Sequence, residues 1–263
     1  MDEDHDRGSG IRTVALLKLV AESGHTFTLS ELAAKAALPA SSVHRLLQPL
    51  LRGGLVERAE GQAYRAGSEF LRIASLVMRE MDAGRIARPI LHRLWAEWEE
   101  TCSLCMYKPV GHFAVVLETI QTPHALRFVI EPFAELSLAW GSLGRAILGS
   151  LPPADAEAAM QRPVLGPLSG QPPATPEEMA EVIAGIRAQG FAEYRNEQID
   201  AAGVAAPVYR GDGSVFGSIG ITAPARRLRV EMVPQMSDAV KQAAQELSEL
   251  FGYKGSSALV VGR

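Results

Sequence analysis

The sequence predicts an α+β protein in which an N-terminal winged helix-turn-helix and a linker helix precede a C-terminal antiparallel sheet with flanking helices. Two short helical patterns separated by the tight turn 38–40 lie in the first 50 residues, and a two-stranded pattern follows them. Beyond residue 84, apolar runs of strand length alternate with helical patterns and turn signals. These observations predict two domains of different architecture.

The composition is that of a globular chain without a membrane anchor. Its 263 residues are 47% hydrophobic and 21% charged, enough to bury one large core or two smaller ones. No apolar run approaches the roughly 20 residues that span a bilayer, and the polar opening is unlike a secretory signal. Two cysteines are too few to staple a secreted domain. We therefore expect a cytoplasmic protein with no membrane partner and a disordered tail over residues 1–9.

Charge is unevenly distributed along the chain. The whole chain carries −4, but residues 10–67 contain seven basic and four acidic side chains, a net charge of +3. The acidic excess therefore lies in the N-terminal tail and the C-terminal part. A basic module joined to an acidic one is typical of a DNA-binding domain joined to a sensor.

The first two helices are predicted from apolar spacing and caps. Apolar residues recur at helical spacing over 11–21, and Gly24 follows as a stop. Thr28 and Glu31 have the spacing of a capping box, so a second helix begins at Thr28, and Pro39 ends it.

The third helix separates an apolar stripe from a polar face. Val43, Leu46, Leu47 and Leu50 form the stripe. The polar face carries Ser41, Ser42, His44, Arg45 and Gln48. Short hydroxyls at a helix N-terminus can meet phosphates, and Arg and Gln can reach base edges in the major groove. The alternative is an ordinary solvated face. Pro49 should end or bend this helix near Gln48.

A hairpin follows the third helix and has the position of a wing. Gly53-Gly54 ends the helix, residues 55–58 form a strand, and residues 63–65 return after a turn. Arg58 and Arg65 are placed to meet backbone phosphates. The candidate DNA contacts are Thr28, Ser41, Ser42, His44, Arg45, Gln48, Arg58 and Arg65.

Residues 68–82 predict a linker helix that is apolar on more than one side, which favours burial against a partner subunit. Gly84 breaks this helix and marks a domain boundary.

Beyond Gly84, helices are predicted over 89–99, 142–149, 175–190 and 230–251, and strands at 102–107, 113–120, 125–130, 191–195, 204–209 and 215–222. The sheet, the helix that opens at Ser142 and the loop after Arg195 should enclose a pocket.

The chain resembles the IclR family of bacterial regulators over nearly its whole length. The resemblance lies in LSELAAKAALPASSVHRLLQPLLRGGLVER, in Tyr64 to Gly67, in GSLGRAILGSLP, in VAAPV and in FGSIGITAPARRL. It implies a DNA-binding domain at 1–67, a linker helix at 68–84, a GAF-like effector-binding domain at 85–252 and a tail at 253–263. It also implies binding to palindromic double-stranded operator DNA as a homodimer or homotetramer, and no cofactor.

The resemblance also implies where an effector binds, against the glycine-rich helix start and the last two strands. Carried over by position, the candidates are Ser142, Leu143, Glu193, Ala201, Gly203, Gly220 and Thr222. Amides at the Ser142 helix start would favour an anion or a carbonyl oxygen. Gly203 and Gly220 carry no side chain, so we expect extra room for a ligand in the pocket. Phe133 and Trp140 either give the pocket an aromatic surface that contacts the ligand or fill the core. We expect a small organic acid, or an aromatic or carbonyl metabolite.

Enzyme motifs are absent from the sequence, which contains no G-x-S-x-G elbow, P-loop or H-E-x-x-H. Cys102 and Cys105 have C-x-x-C spacing with His112 nearby, which suggests zinc or redox chemistry. However, residues three apart on a strand face opposite ways, so buried structural cysteines are favoured, with no catalytic or metal site. The alternative function is a sensor-like domain that retains hydrolytic or metal-dependent activity and is targeted by the N-terminal domain.

Overall fold

The chain folds into two units, Met1–Asp82 and Ala83–Arg263, in a computed structural model that describes residues 3–23, 26–80, 83–161, 165–167 and 169–255. The division falls two residues before the glycine at which the sequence predicts a boundary. Each unit has its own hydrophobic core. The predicted fold class is confirmed, since helices and a hairpin form the first unit and a sheet with helices forms the second.

The first unit is a three-helix core with a two-stranded wing. Its elements are α1 (Glu3–Glu22), α2 (Leu29–Ala36), α3 (Ala40–Arg52), β1 (Val56–Arg58), β2 (Tyr64–Ala66) and α4 (Ser68–Glu80). The predicted capping box is confirmed, because Thr28 and Glu31 exchange the expected bonds. The predicted apolar stripe of α3 is also confirmed: Val43, Leu46, Leu47 and Leu50 are all buried. Phe27 joins the wing through a bridge to Tyr64.

Two helices of this unit differ from the sequence prediction. Residues 3–9 are helical rather than a disordered tail. No proline interrupts this segment, and a glycine inside a helix costs only about 1 kcal/mol relative to alanine. Helix α3 also continues through Pro49 to Arg52. The proline removes only one intrahelical bond, to the Arg45 carbonyl, while buried leucines on both sides keep the helix packed.

The linker helix α4 begins where the wing ends, and the wing caps it. The Glu57 carboxylate accepts a bond of 2.8 Å from the Ser68 amide, and this bond is the main reason that the pKa of Glu57 is lowered. Leu71, Ile73 and Leu76 are exposed on α4. Val77 and Met78 continue the apolar pattern of this helix in the sequence, but their side chains lie outside the described residues.

The second unit is built on one antiparallel sheet. Its elements are α5 (Ala83–Trp98), β3 (Thr101–Lys108), β4 (Phe113–Ile120), β5 (Glu135–Ser137), α6 (Gly141–Ser150), α7 (Pro153–Met160), α8 (Pro176–Gln189), β6 (Ala192–Asn196), β7 (Ala201–Tyr209), β8 (Val215–Pro224) and α9 (Val233–Leu250). The strand order is β5-β4-β3-β8-β7-β6. Helices α5 and α9 pack on one face and α6 on the other, with α8 against α6. The sheet therefore separates two apolar cores.

Strand periodicity distributes side chains between these two cores. Val204 and Ile221 lie in the core under α5 and α9, whereas Ala205 lies in the core under α6. Cys102 and Cys105 are likewise divided between the two cores, which agrees with the prediction that they face opposite ways.

The predicted strand at 125–130 is wrong. This segment has no regular secondary structure, and the short edge strand β5 pairs with β4 instead. Its backbone carbonyls bond to side chains rather than to a neighbouring strand: Leu126 O accepts from Arg227, and Ile130 O accepts from Gln121. At the other end of the unit, Tyr253 stacks on Tyr209, and residues 256–263 of the predicted tail lie outside the described residues.

Candidate functional site

The outward face of α3 carries the polar side chains that the sequence assigns to DNA. Ser41, His44 and Arg45 are exposed, and Ser42 and Gln48 are half-buried. Among the described residues, Arg45 forms no ion pair. A free guanidinium on the exposed face of a helix is available to a base edge or a phosphate.

His44 and Gln48 contact each other one helical turn apart. The His44 Nε2 and Gln48 Nε2 atoms are 3.2 Å apart, a distance at which the Gln48 amide donates to the imidazole. The imidazole proton is then on Nδ1. This contact orients the Gln48 amide, whose oxygen and second N–H remain available to a base.

The wing presents two arginines in different states. Arg58 is exposed and has no ion pair among the described residues, whereas Arg65 Nη2 lies 3.1 Å from Glu57 Oε2 across the hairpin. A phosphate would have to compete with Glu57 for Arg65. Arg52, which the sequence analysis did not select, lines a surface groove together with Gln48 and Arg58. Its signal in the sequence was a basic residue in the last turn of α3.

Thr28 is the first residue before α2, and its hydroxyl is already engaged. Its Oγ1 accepts a bond of 3.2 Å from the Glu31 amide and donates to Glu31 Oε2 at 3.0 Å. The bond that Glu31 accepts from the Thr28 amide is the main reason that the pKa of Glu31 is lowered. The geometry favours a capping role for Thr28, with DNA contact left to residues of α3 and the wing.

The second unit contains a cavity of about 410 Å³ on the α6 face of the sheet. Four parts of the chain enclose it: the irregular segment Phe128–Ile130, strand β5, the start of α6, and the adjoining ends of β6, β7 and β8. Its volume is within the usual range for small-molecule sites. Most of the lining is apolar, and Phe128, Trp140 and Tyr194 contribute aromatic rings.

One end of the cavity is formed by the start of α6. The first amides of any helix lack intrahelical acceptors, and α6, which begins at Gly141, has no side-chain cap to accept from them. Ser142 is 3% exposed and lines the cavity, and its hydroxyl has no hydrogen-bond partner among the described residues. Gly203 and Thr222 lie directly opposite each other on β7 and β8 beside it. Uncapped amides and an unpartnered hydroxyl together favour a ligand oxygen at this end.

Six of the nine residues predicted to bind an effector line this cavity: Trp140, Ser142, Leu143, Ala201, Gly203 and Thr222. Three do not, namely Phe133, Glu193 and Gly220. Phe133 has φ 65° and is 54% exposed, so its ring lies at the surface. Glu193 points away because its neighbour Tyr194 faces the cavity. Gly220 pairs with Ala205 and lies two residues before Thr222 on β8, away from the cavity end of the strand.

The predicted extra room at the two glycines is wrong. A Cβ at Gly203 would lie 2.6 Å from Ser142 Oγ and 2.8 Å from Ile221 O. A Cβ at Gly220 would lie 2.5 Å from Val204 O. These positions are glycines because the neighbouring atoms are close, and they leave no additional volume for a ligand.

Sequence reasoning missed a large part of the cavity wall. Phe128, Val129 and Ile130 were assigned to a strand, although flanking prolines at 123 and 132 were a signal against one. Tyr194 is one residue from the predicted Glu193. The alternation of buried Ala192, exposed Glu193 and half-buried Tyr194 shows which of the two faces the α6 side.

The irregular wall is held in place by an ion pair that is largely buried. Arg227 donates to both carboxylate oxygens of Glu100, with Nε–Oε1 2.5 Å and Nη2–Oε2 2.7 Å, and its Nη1 donates to Leu126 O at 2.7 Å. Glu100 is only 7% exposed. This pair raises the pKa of Arg227, mainly through the side-chain bond to Glu100.

The two cysteines have the properties of core residues. Burial raises the pKa of the Cys105 thiol to about 12 and that of Cys102 further still, so both stay protonated and unreactive near neutral pH. Within the described part of the chain, no cluster of three or more His, Cys, Asp or Glu side chains is arranged to hold a metal ion. In the same residues, no helix is long and apolar enough to cross a membrane.

Comparison with known proteins agrees with this arrangement. Residues 11–60 match the IclR helix-turn-helix domain, and residues 75–249 match the family described as bacterial transcriptional regulator IclR C-terminal. The HTH-type transcriptional regulator KipR of Bacillus subtilis is 28% identical over 244 residues, covering 92% of this chain and 96% of the relative.

Solved structures share the fold. A putative IclR transcriptional regulator from a Silicibacter species superposes with a TM-score of 0.78 at 23% identity, covering 92% of this chain and 96% of the other. An IclR homologue from Microbacterium hydrocarbonoxydans, solved in complex with 4-hydroxybenzoate, gives 0.71 at 22% identity, covering 90% and 98%.

Proposed function

The chain belongs to the IclR family of bacterial transcriptional regulators, and we propose that a small organic acid, or an aromatic or carbonyl metabolite, bound in its cavity changes its affinity for a palindromic operator. As a family member it is a DNA-binding transcription regulator with an effector-binding C-terminal domain, and not an enzyme.

The DNA-binding part of the proposal is supported by the free side chains of α3 and the wing. Arg45 and Gln48 read base edges, while Ser41, Ser42, His44 and Arg58 contact the backbone. Arg52 joins this set because it shares a groove with Gln48 and Arg58. Arg65 contributes only after it leaves Glu57, and Thr28 acts through the cap of α2.

Assembly as a homodimer or homotetramer is supported by the apolar side chains that α4 leaves exposed. Leu71 is 62% exposed, and Ile73 and Leu76 are also exposed on the same helix. A second copy would remove this surface from water. A two-fold dimer reads two half-sites, which is why the operator is proposed to be palindromic. A protein that acts on bacterial DNA acts in the cytoplasm.

The observation that carries the effector proposal is the unpartnered Ser142 hydroxyl at the start of α6, inside a mostly apolar cavity. A hydroxyl that lines the cavity and has no partner in the protein is free to bond to a ligand oxygen. Binding alters DNA affinity only if the ligand prefers one of two arrangements of the protein, typically by about 1–3 kcal/mol.

The test fills the cavity without disturbing the sheet. Gly203 is unsuitable because even a Cβ there would meet backbone. Ala201 lines the cavity, and Ala201→Phe would occupy it. Glu193→Phe on the neighbouring strand adds the same ring at an exposed position outside the cavity.

Acetate, succinate, benzoate and 4-hydroxybenzoate serve as probes in thermal-shift and gel-shift assays with the DNA upstream of the chain's own gene. A true effector at about 100 times its dissociation constant stabilises the folded protein by about 2.7 kcal/mol. Both responses should disappear in Ala201→Phe and persist in Glu193→Phe. An unchanged response in Ala201→Phe would place the ligand site elsewhere.

A further inference from the structure

Arg145 is an uncompensated cation behind the wall of the cavity. It lies on α6 directly after the residues that line the cavity, and its Nε donates to Ala139 O at 3.0 Å. Its guanidinium stacks on the ring of Tyr194, with Cζ 5.0 Å from the ring centroid, and Tyr194 itself lines the cavity. Among the described residues, no aspartate or glutamate forms an ion pair with it.

We propose that Arg145 determines the charge of the effector: from behind Tyr194 it favours a ligand with one carboxylate at the α6 end of the cavity. This inference rests on the proposed function and adds a specificity-determining residue to it. Arg145 acts without touching the ligand, because it is not part of the lining.

The energetic reason is the cost of burying a charge without a counter-ion. Burial lowers the pKa of Arg145, and the nearby Tyr194 only partly opposes this effect. An arginine remains protonated in proteins, so the positive charge persists in this partly buried position. A ligand anion nearby would offset part of the desolvation cost, whereas a neutral ligand would not.

The charges around the cavity favour one negative charge on the ligand and no more. None of the described lining residues is a lysine, arginine or histidine, and Glu135 is a carboxylate among them. The positive potential in the cavity therefore comes from the α6 amides, equivalent to roughly half a charge, and from Arg145. A second carboxylate would lie against apolar side chains or near Glu135 and would be disfavoured.

The rest of the lining favours an aromatic body for this ligand. Phe128, Trp140 and Tyr194 supply aromatic surface, and aromatic rings gain from offset or edge contacts with other rings. The hydroxyls of Ser142 and Thr222 can donate to the carboxylate oxygens. Benzoate is therefore the simplest matching probe, benzamide its neutral isostere, and terephthalate its dicarboxylate counterpart.

The experiment measures calorimetric binding of these three probes to the full-length protein. The wild type should bind benzoate about tenfold more tightly than benzamide or terephthalate. Arg145→Met should bind benzoate and benzamide alike, and Arg145→Lys should keep part of the preference. Arg210→Met is the matched control, because Arg210 lies outside the cavity and makes the same kinds of contact as Arg145. Its guanidinium Cζ lies 5.1 Å from the centroid of the Phe216 ring, and its Nη1 donates to Val215 O at 2.7 Å.

Three outcomes would overturn the inference: equal binding of benzoate and benzamide to the wild type, no binding of either, or an unchanged preference in folded Arg145→Met. If Arg145→Met does not fold, Arg145→Lys tests the same point, and an undiminished preference in that variant would overturn the inference. Equal binding of both probes that Ala201→Phe abolishes would refute the role of Arg145 and leave the proposed function intact. Benzoate binding that Ala201→Phe leaves unchanged would refute the proposed location of the site.

Discussion

Removing Arg227 tests how the irregular wall of the cavity is held. In Arg227→Met, Glu100 loses both of its bonds to the guanidinium, and Leu126 O loses its donor. Glu100 is then a carboxylate that is 7% exposed and without its partner. Removing one member of a buried ion pair typically costs about 3–5 kcal/mol. Because the Arg227 side chain is 26% exposed, water can partly replace it, and we expect the lower end, about 3 kcal/mol.

Urea unfolding followed by tryptophan fluorescence measures this loss. The three tryptophans, Trp95, Trp98 and Trp140, all lie in the second unit, so the signal reports on that unit alone. The change should appear as a lower midpoint with an unchanged slope. Arg88→Met is the control, since it breaks the exposed pair with Glu118 and should cost no more than about 1 kcal/mol.

A double variant separates the pair from simple loss of packing. Glu100→Gln removes the charge that Arg227→Met leaves unpaired, so the double variant should lose much less stability than the sum of the two single variants. Additive losses, or a loss in Arg227→Met no larger than in Arg88→Met, would show that water already compensates Glu100. The account of a wall fixed by a buried ion pair would then be refuted.

Two further predictions concern DNA and assembly. In gel-shift titrations, Arg45→Ala should weaken operator binding by about 1–3 kcal/mol and relax the sequence preference. Arg58→Ala should weaken binding to operator and random DNA alike and reduce the salt slope by about one. An equal loss on all sequences for Arg45→Ala would mean that Arg45 contacts phosphate only. Leu71 and Leu76 are exposed apolar side chains of the proposed subunit contact, so replacing both by Glu should give monomers in sedimentation and weaken binding to paired half-sites. An unchanged sedimentation profile would show that α4 is not the subunit contact.

Much of the first unit could be predicted from local signals. The Thr28 capping box, the buried stripe of α3 and the wing hairpin each depend on residues within about ten positions of one another. Helical and strand periods express themselves over such distances, so the sequence carries the signal directly. The errors here also had local causes: Pro49 was given more weight as a helix breaker than the buried leucines around it allow, and the polar opening was interpreted as disordered although it contains no proline.

The candidate cavity was only partly predictable. The resemblance placed Ser142, Ala201, Gly203 and Thr222 correctly on its wall, because they belong to regular elements whose positions the fold fixes. The prediction of the site failed where the choice depends on a one-residue register or on a turn. Glu193 was selected in place of Tyr194, and Phe133 was assigned to the site although its positive φ directs it to the surface.

The sequence by itself determined most of the helices and strands, the capping box of α2 and the basic N-terminal module, since these follow from spacing and composition. Only the tertiary structure decided which distant side chains meet: Glu100 pairs with Arg227 across 127 positions, and Arg145 stacks on Tyr194 behind the cavity. Such pairs depend on how the sheet and its helices pack in three dimensions, and no local pattern specifies them. The same packing closes Gly203 against Ser142, so a residue that the sequence suggests leaves space in fact marks a close contact between α6 and the sheet.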